Sequence, residues 1–479
     1  MRALSSLVAQ SLSPFFTRRA TPLPHGSARQ VLDELNAALG PARLAEDGIG
    51  DAPALHRLAE LSARYGLNLS VPNAAAHLQP PPLAVSVAAD TLANLSNGSL
   101  DTFDSGPFGI AVERWVISAL ADLAGFDPGA DGVMTPGGSI SNLMGLLLAR
   151  DEAGKARSSD CRSDGVHALT RPVVFCSEVA HFSVNRACAI LGLGEGAVRP
   201  IGVDSSRTID PAAMERALAN LHHDETPIAI IATAGTTDFG TVDPLRELAA
   251  LAERFRVWFH VDAAYGFGAR FSRELSHRLN GIERADSITL DLHKLGWQPA
   301  AASVLLVSPK RSFSSLSRSV DYLNPSDDAD AGYDGLLGRS LQTTRRADAV
   351  KVAASFLSHG RSGLGSMVNQ CHALARYAAQ RIDSEDKLTL ESGAHLTTVV
   401  FRYRAAGANP ERENQLNGEL RRMLLAEGTA LIGRTSIDSR TCLKFTLINP
   451  LASRADVDAM VDAVLEAGTR CERALGVLS

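Results

Sequence analysis

The sequence predicts an α/β protein: a large domain on a mostly parallel sheet covered on both faces, followed by a smaller α+β domain. Three observations predict it. In the middle of the chain, short apolar runs rich in β-branched residues alternate with stretches of helical periodicity, as strand–helix–strand units do. The apolar runs are near-continuous, which suits strands buried on both faces. Polar residues collect just after these runs, where open α/β sheets bind their ligands.

Taken in order, residues 1–85 read as an N-terminal helical segment broken at "SPFF", "TPLPHG" and "QPPPL", where prolines remove amide donors and end elements. The opening "MRALSSLVAQSLSPFFTRRA" reads as an ordinary N-terminal helix followed by a linker; its arginine and serine content and lack of acids leave a transit peptide as the alternative. Residues 86–345 form the large domain. Its strands are read at "RPVVFC", "PIAIIAT", "RVWFHVD", "DSITLD" and "AASVLLVS", and its helices include "SNLMGLLLAR" and "DPLRELAALAERF". Residues 346–479 form the small domain, with strands at "HLTTVVFRY" and "RTCLKFTLIN" and helices at "ERENQLNGELRRMLLAEG" and "RADVDAMVDAVLEAG".

Composition narrows the function. The chain has 479 residues, 45% hydrophobic and 21% charged, ordinary for a globular protein with a sizeable core. A net charge of -6 gives no footprint for nucleic acid or an anionic membrane. No apolar run reaches the roughly 18 residues of a membrane span. The six cysteines form no CxxC pair and no metal-ligand spacing, so they read as reduced thiols of a cytoplasmic protein.

Four groups fall at strand ends: His181 after "VVFCSEVA", Thr236 and Thr237 after "IAIIATAG", Asp262 ending "VWFHV", and Lys294 after "SITLDLH". Each has a plain structural explanation alone, a hydrogen-bonded imidazole or a helix-capping carboxylate. Four together at one sheet edge point to a site. Lys294 stands out, because burial disfavours a charged ammonium. "TPGGSISNLMGLLLAR" adds Gly137 and Gly138, which let backbone approach a ligand, and Ser139 at a helix start, an anion site. An amine, a carboxylate and an anion cradle are what pyridoxal 5'-phosphate requires for its aldehyde, ring nitrogen and phosphate.

"TPGGSISNL", "SEVAHFSV", "ATAGTTDFGTVDP", "HVDAAYG" and "DLHK", in this order, resemble the group II pyridoxal-phosphate decarboxylases from about residue 70 to the C-terminus. The resemblance implies the fold-type-I, aspartate aminotransferase-like architecture and a homodimer with active sites near the subunit interface. Within the family, "AAHLQPPPL", "DLHK", "VDYLNP" and "SLQTTRR" are most similar to lysine and 2,4-diaminobutyrate decarboxylases of siderophore pathways. One departure stands out: the aromatic and glutamate enzymes have Asn-Pro-His-Lys where this chain has Asp-Leu-His-Lys. An anionic Asp291 beside a phosphate is repulsive, which argues against its taking the asparagine's phosphate contact.

The resemblance assigns Lys294 to the cofactor aldehyde, Asp262 to the ring nitrogen and His181 to the ring face. Gly138 and Ser139 go to the phosphate, and Thr237 to the 3'-oxygen or the phosphate. His293 is either a cofactor neighbour or a structural histidine. Residues 321–346 are polar and glycine-containing, as a mobile lid is; Tyr333 there is either the proton donor or an exposed loop tyrosine. The expected substrate is an aliphatic diamino acid, 2,4-diaminobutyrate, ornithine or lysine. Asp327, Asp328, Asp330 and the turn from His77 to Pro82 are candidate acceptors for its terminal ammonium. An aromatic or acidic substrate remains open, as does an aminotransferase or carbon–sulfur lyase using Arg402 or Arg404 for the substrate carboxylate. An aldehyde synthase and a catalytically silent scaffold are narrower alternatives.

Overall fold

The computed structural model describes residues 2–16, 19–311, 313–317, 323 and 325–475. Twelve strands occur among them. The first six are β1 (Ala74–Ala75), β2 (Asp131–Thr135), β3 (Pro172–Ser177), β4 (Val198–Ile201), β5 (Thr226–Thr233) and β6 (Trp258–Ala263). The rest are β7 (Ser287–Asp291), β8 (Ser303–Val307), β9 (Leu388–Ser392), β10 (Thr398–Tyr403), β11 (Leu431–Ile437) and β12 (Arg440–Thr446). They divide between two compact units, residues 82–370 and residues 1–81 together with 371–479.

The larger unit holds a seven-stranded sheet in the order β2-β8-β7-β6-β5-β3-β4. Strands β4, β3, β5, β6 and β7 pair in parallel, and β8 runs antiparallel to both β7 and β2. β2 therefore points the same way as the parallel set. Every residue of β6, β7 and β8 is buried, as a sheet covered on both faces demands. The helix Gly138–Lys155 is buried along most of its length and packs into a core with Val133, Val174, Ile228 and Leu305. Gly145 lets it come this close: a Cβ there would lie 2.8 Å from His260 Cε1.

The smaller unit is an α+β fold with sheet order β1-β11-β12-β10-β9. Its strands pair antiparallel, apart from a parallel β1–β11 match of Ala74 with Leu431. The helices Pro410–Ala426 and Arg454–Ala474 pack on it through Leu416, Leu420, Val461 and Val464 against Phe401 and Phe445. Asn409 and Ser453 cap their N-termini, Ser453 in a reciprocal box with Asp456.

This division differs from the expected 1–85, 86–345 and 346–479. The N-terminal segment joins the C-terminal residues because β1 finds its backbone partner in β11. The larger unit extends to Gln370 because the helical run Ala349–Asp383, interrupted at Gly360, continues it past residue 346. Of the arginine-bearing N-terminal stretch, Arg2–Ser11 is helical, while Met1, Thr17 and Arg18 lie outside the described residues. Among the described residues, no helix is long and apolar enough to cross a membrane.

Candidate active site

Because β2 is aligned with the parallel strands, the segments leaving β2, β3, β5, β6 and β7 emerge at one edge of the sheet. They carry, in that order, Gly138 and Ser139, His181, Thr237, Asp262, and Lys294.

Asp262 is 5% exposed at the end of β6. Its Oδ2 accepts a hydrogen bond from Asn142 Nδ2 at 2.8 Å and its Oδ1 one from the Ala264 amide at 3.1 Å. Both oxygens therefore have the donors that a buried carboxylate requires. Asn142 also reaches Ser183 Oγ at 2.9 Å, and Ser183 Oγ lies 2.8 Å from His181 Nδ1. Burial holds the His181 imidazole below the usual histidine range; Lys294 and Arg186 add to this, while Asp262 and Asp291 oppose it. The ring is uncharged at neutral pH. His260, wholly buried behind Asn142, has its pKa pushed down to about 4 by desolvation.

Lys294 follows β7 in a turn, and its side chain remains 21% exposed. Its Nζ lies 2.8 Å from Asp291 Oδ2. Asp291 is buried and accepts from Ser303 Oγ at 2.5 Å. The Asp291 carboxylate thus serves as an ion-pair partner of the lysine. Gly138 sits against this carboxylate: a Cβ there would be 2.9 Å from Asp291 Oδ1 and 3.0 Å from Oδ2. Gly137, at φ 148°, starts the helix with no side-chain cap, so the Gly138 and Ser139 amides are left for an anion. His293 Nδ1 lies against the Ala302 backbone, and its Nε2 is 3.7 Å from Asp291 Oδ2.

The remaining candidates are exposed. Thr237 is exposed in the loop after β5, whereas the neighbouring Thr236 is buried with its hydroxyl on Thr241. Tyr333 is 57% exposed, and its ring packs edge-on against Phe103 with centroids 5.6 Å apart. Its hydroxyl makes no hydrogen bond among the described residues. Asp327, Asp328 and Asp330 are exposed on the short helix Ser326–Asp330. Val320, Asp321, Tyr322 and Asn324 of "VDYLNP" lie outside the described residues.

The expected lid is not loose throughout. Leu336 N–H donates to the Leu100 carbonyl, and Leu100 N–H to that of Arg345. Arg345, within "SLQTTRR", donates to both oxygens of buried Glu113, at 2.8 and 3.0 Å, and at 3.3 Å to the Met134 carbonyl of β2. That arginine braces the strand leading to Gly138. In the smaller unit, burial together with Lys444 and Arg421 lowers the pKa of His77, a cationic setting poorly suited to a substrate ammonium. Arg402 is held by Glu391 at 2.6 Å and Glu413 at 3.0 Å, which commits it to structure.

Asn142, Ser183, His260 and Ser303 escaped the sequence reading. One signal was available for His260: it stands two residues before Asp262, so both lie on the same face of β6.

Pyridoxal phosphate is the group these residues fit. They supply a lysine amine, a buried carboxylate and an uncapped helix N-terminus fronted by glycine. A fourth feature is Thr233, in register with Asp262, whose buried hydroxyl has no partner among the described residues. A groove of about 740 Å³ at the opposite edge of the sheet is bordered by Trp258, Asp286 and Arg311, and Arg311 there is taken up by Asp286 and Glu152.

Comparison with known proteins agrees. The pyridoxal-dependent decarboxylase conserved domain matches residues 64–404. An L-2,4-diaminobutyrate decarboxylase of Rhizobium meliloti (strain 1021) is 38% identical over 457 residues, 95% of this chain and 89% of the relative. One from Acinetobacter baumannii is 33% identical over 456 residues, 93% of this chain and 89% of the relative. Among solved structures, the glutamate decarboxylase domain of diaminobutyrate-pyruvate transaminase and L-2,4-diaminobutyrate decarboxylase from Vibrio parahaemolyticus superposes with a TM-score of 0.85. It is 30% identical, with 98% of this chain and 95% of that one covered. With a family match over residues 64–404 and this likeness over nearly its whole length, the chain belongs to the pyridoxal-dependent decarboxylases.

Proposed function

We propose that this decarboxylase acts on an aliphatic L-diamino acid, 2,4-diaminobutyrate or its longer homologues ornithine and lysine, releasing carbon dioxide and the diamine. The observation that carries this reading is the 38% identity, over 95% of the chain, to a diaminobutyrate decarboxylase. The commitment of Arg402 to Glu391 and Glu413 weighs against the aminotransferase alternative.

Lys294 would hold pyridoxal phosphate through its aldehyde, Asp262 would face the ring nitrogen, and Gly138 and Ser139 would bind the phosphate. Bound there, the cofactor supplies a ring that accepts the electron pair left when carbon dioxide departs. Asp262 keeps a proton on the ring nitrogen, because an opposite charge at contact range favours the charged form. His181, uncharged and anchored by Ser183, lies against the ring face and keeps water away. Thr237 contributes its hydroxyl to the 3'-oxygen or the phosphate. His293 stays a neighbour of the lysine through Asp291. Tyr333 delivers the proton that completes the product, its loop closing over the substrate. Asp327, Asp328 or Asp330 receives the terminal ammonium, since a buried charge needs a partner.

A homodimer working in the cytoplasm completes the reading. The described cysteines are all free and buried, which suits a reducing compartment, and sedimentation of the active enzyme as a dimer tests the assembly. The substrate is tested by measuring carbon dioxide and amine from diaminobutyrate, ornithine, lysine, glutamate, tyrosine and tryptophan. A diamino acid is expected to lead. One methylene is worth only about 1–3 kcal/mol of discrimination, so its homologues should turn over more slowly yet measurably. Preference for an aromatic or acidic substrate would overturn the substrate class while leaving the cofactor chemistry standing.

A further inference from the structure

Seven buried or half-buried residues in and behind the site are joined by hydrogen bonds whose direction is fixed from both ends. Trp258 Nε1 can only donate, and it meets Ser287 Oγ at 2.9 Å. Ser287 Oγ is also 2.8 Å from His260 Nδ1, and His260 Nε2 is 3.0 Å from Asn142 Oδ1. At the far end Asp262 Oδ2 accepts from Asn142, so the amide nitrogen must face the carboxylate and the amide oxygen must face His260. His260 then donates from Nε2, with Thr289 Oγ1 at 3.4 Å as a weaker second acceptor, and its Nδ1 accepts from Ser287. A neutral His260, held so by burial, is the only form with one donor and one acceptor.

Asn142 has a second amide hydrogen, and it goes to Ser183 Oγ at 2.9 Å. The Ser183 amide donates to His181 Nδ1 at 3.3 Å, so that nitrogen is an acceptor, and the Ser183 hydroxyl, 2.8 Å from it and already accepting from Asn142, turns its own hydrogen there. Two donors on Nδ1 leave the His181 proton on Nε2.

We propose that Asn142, fixed by His260, is the positioning residue of this site, tying the Asp262 carboxylate to His181 and setting the His181 proton on Nε2. His181 then meets a bound ligand as a hydrogen-bond donor and has no free lone pair there with which to take a proton. The inference rests on the reading that Asp262 and His181 face pyridoxal phosphate.

The test is the tautomeric state of His181 in the full-length protein labelled with 15N-histidine, its resonances assigned among 13 histidines by loss in His181→Gln. At pH 7.5, Nε2 is expected protonated and Nδ1 bare. Asn142→Asp keeps the volume but turns a donor into an acceptor for Ser183, so His181 should become a mixture of tautomers. Loss of a hydrogen bond to a charged group costs about 1.5–3 kcal/mol, so pyridoxal phosphate affinity should fall about tenfold to a hundredfold. Ser183→Ala removes only the last link; it should mix the tautomers while leaving the Asn142–Asp262 bond in place. A wild-type proton on Nδ1, or a tautomer unmoved in both variants, would overturn the proposal, even if affinity fell. Failure of the wild type to bind pyridoxal phosphate at all would instead overturn the reading on which it rests.

Discussion

Replacing Asp262 by asparagine changes one charge and one hydrogen-bonding pattern, and the two have separable consequences. The carboxylate accepts from Asn142 Nδ2 at 2.8 Å and from the Ala264 amide at 3.1 Å. An asparagine must turn its own NH2 toward one of these donors, leaving a buried donor unsatisfied at a cost of about 1–3 kcal/mol. The catalytic effect comes from the lost charge. A carboxylate at contact range raises the pKa of the ring nitrogen by about 1–3 units, or about 1.4–4 kcal/mol. If that full difference is expressed in the rate-limiting barrier, turnover falls roughly tenfold to a thousandfold. The assay is carbon dioxide release at saturating diaminobutyrate, with cofactor occupancy read by absorbance and stability by thermal melting. Asp262→Asn is expected to retain cofactor partly, melt lower and lose most activity. Near-normal turnover with cofactor bound would refute the ring-nitrogen role and leave Asp262 as a structural acceptor.

Gly138→Ala places a methyl 2.9 Å from Asp291 Oδ1, which Ser303 holds, and 3.0 Å from Oδ2, which Lys294 holds. Overpacking of about 1–3 kcal/mol should weaken pyridoxal phosphate binding in an equilibrium titration; unchanged affinity would remove Gly138 from the phosphate site. Burial lowers the pKa of His260 from 6.5 to about 4, so between those values the unfolded chain binds a proton that the folded chain refuses. Its stabilising effect is complete above pH 6.5 and is lost as pH falls through that window, amounting to about 3 kcal/mol. Urea unfolding should show the wild type losing that much more than His260→Gln between pH 7.5 and pH 4, and parallel losses would contradict it. Tyr333→Phe should lower kcat more than it raises KM, because the hydroxyl acts after carbon dioxide has left. Unchanged kcat would move the proton-donor role to His181 or water.

How far the site was legible depended on which signals are local. Strands β3, β5, β6, β7 and β8 were readable because each is a run of buried apolar residues. Strand β2 is a short "DGVMT" set between glycine turns, and β4 is "VRPI" with a proline, so neither offers a local strand pattern. Lys294, Asp262 and His181 were singled out because strand ends mark ligand positions in this class of sheet, and Gly138 because a Gly-Gly-Ser run precedes a helix. Asn142 was not, since it lies within a buried helix, 120 residues from the carboxylate it holds. The ion pair of Asp291 with Lys294 was also hidden: a carboxylate three residues before a lysine gives no sign of whether a turn will fold them together. The attachment of the N-terminal segment to the small unit depends on two alanines pairing with β11 across the length of the chain.

Everything proposed for the site turns on Lys294 as the residue that holds pyridoxal phosphate. The most direct test of that role is borohydride reduction of the purified enzyme followed by peptide mass analysis. Reduced cofactor is expected on the peptide that carries Lys294, with no labelled peptide and no visible absorbance in Lys294→Ala. Reduced cofactor on a different lysine, or a chromophore that survives Lys294→Ala, would contradict it.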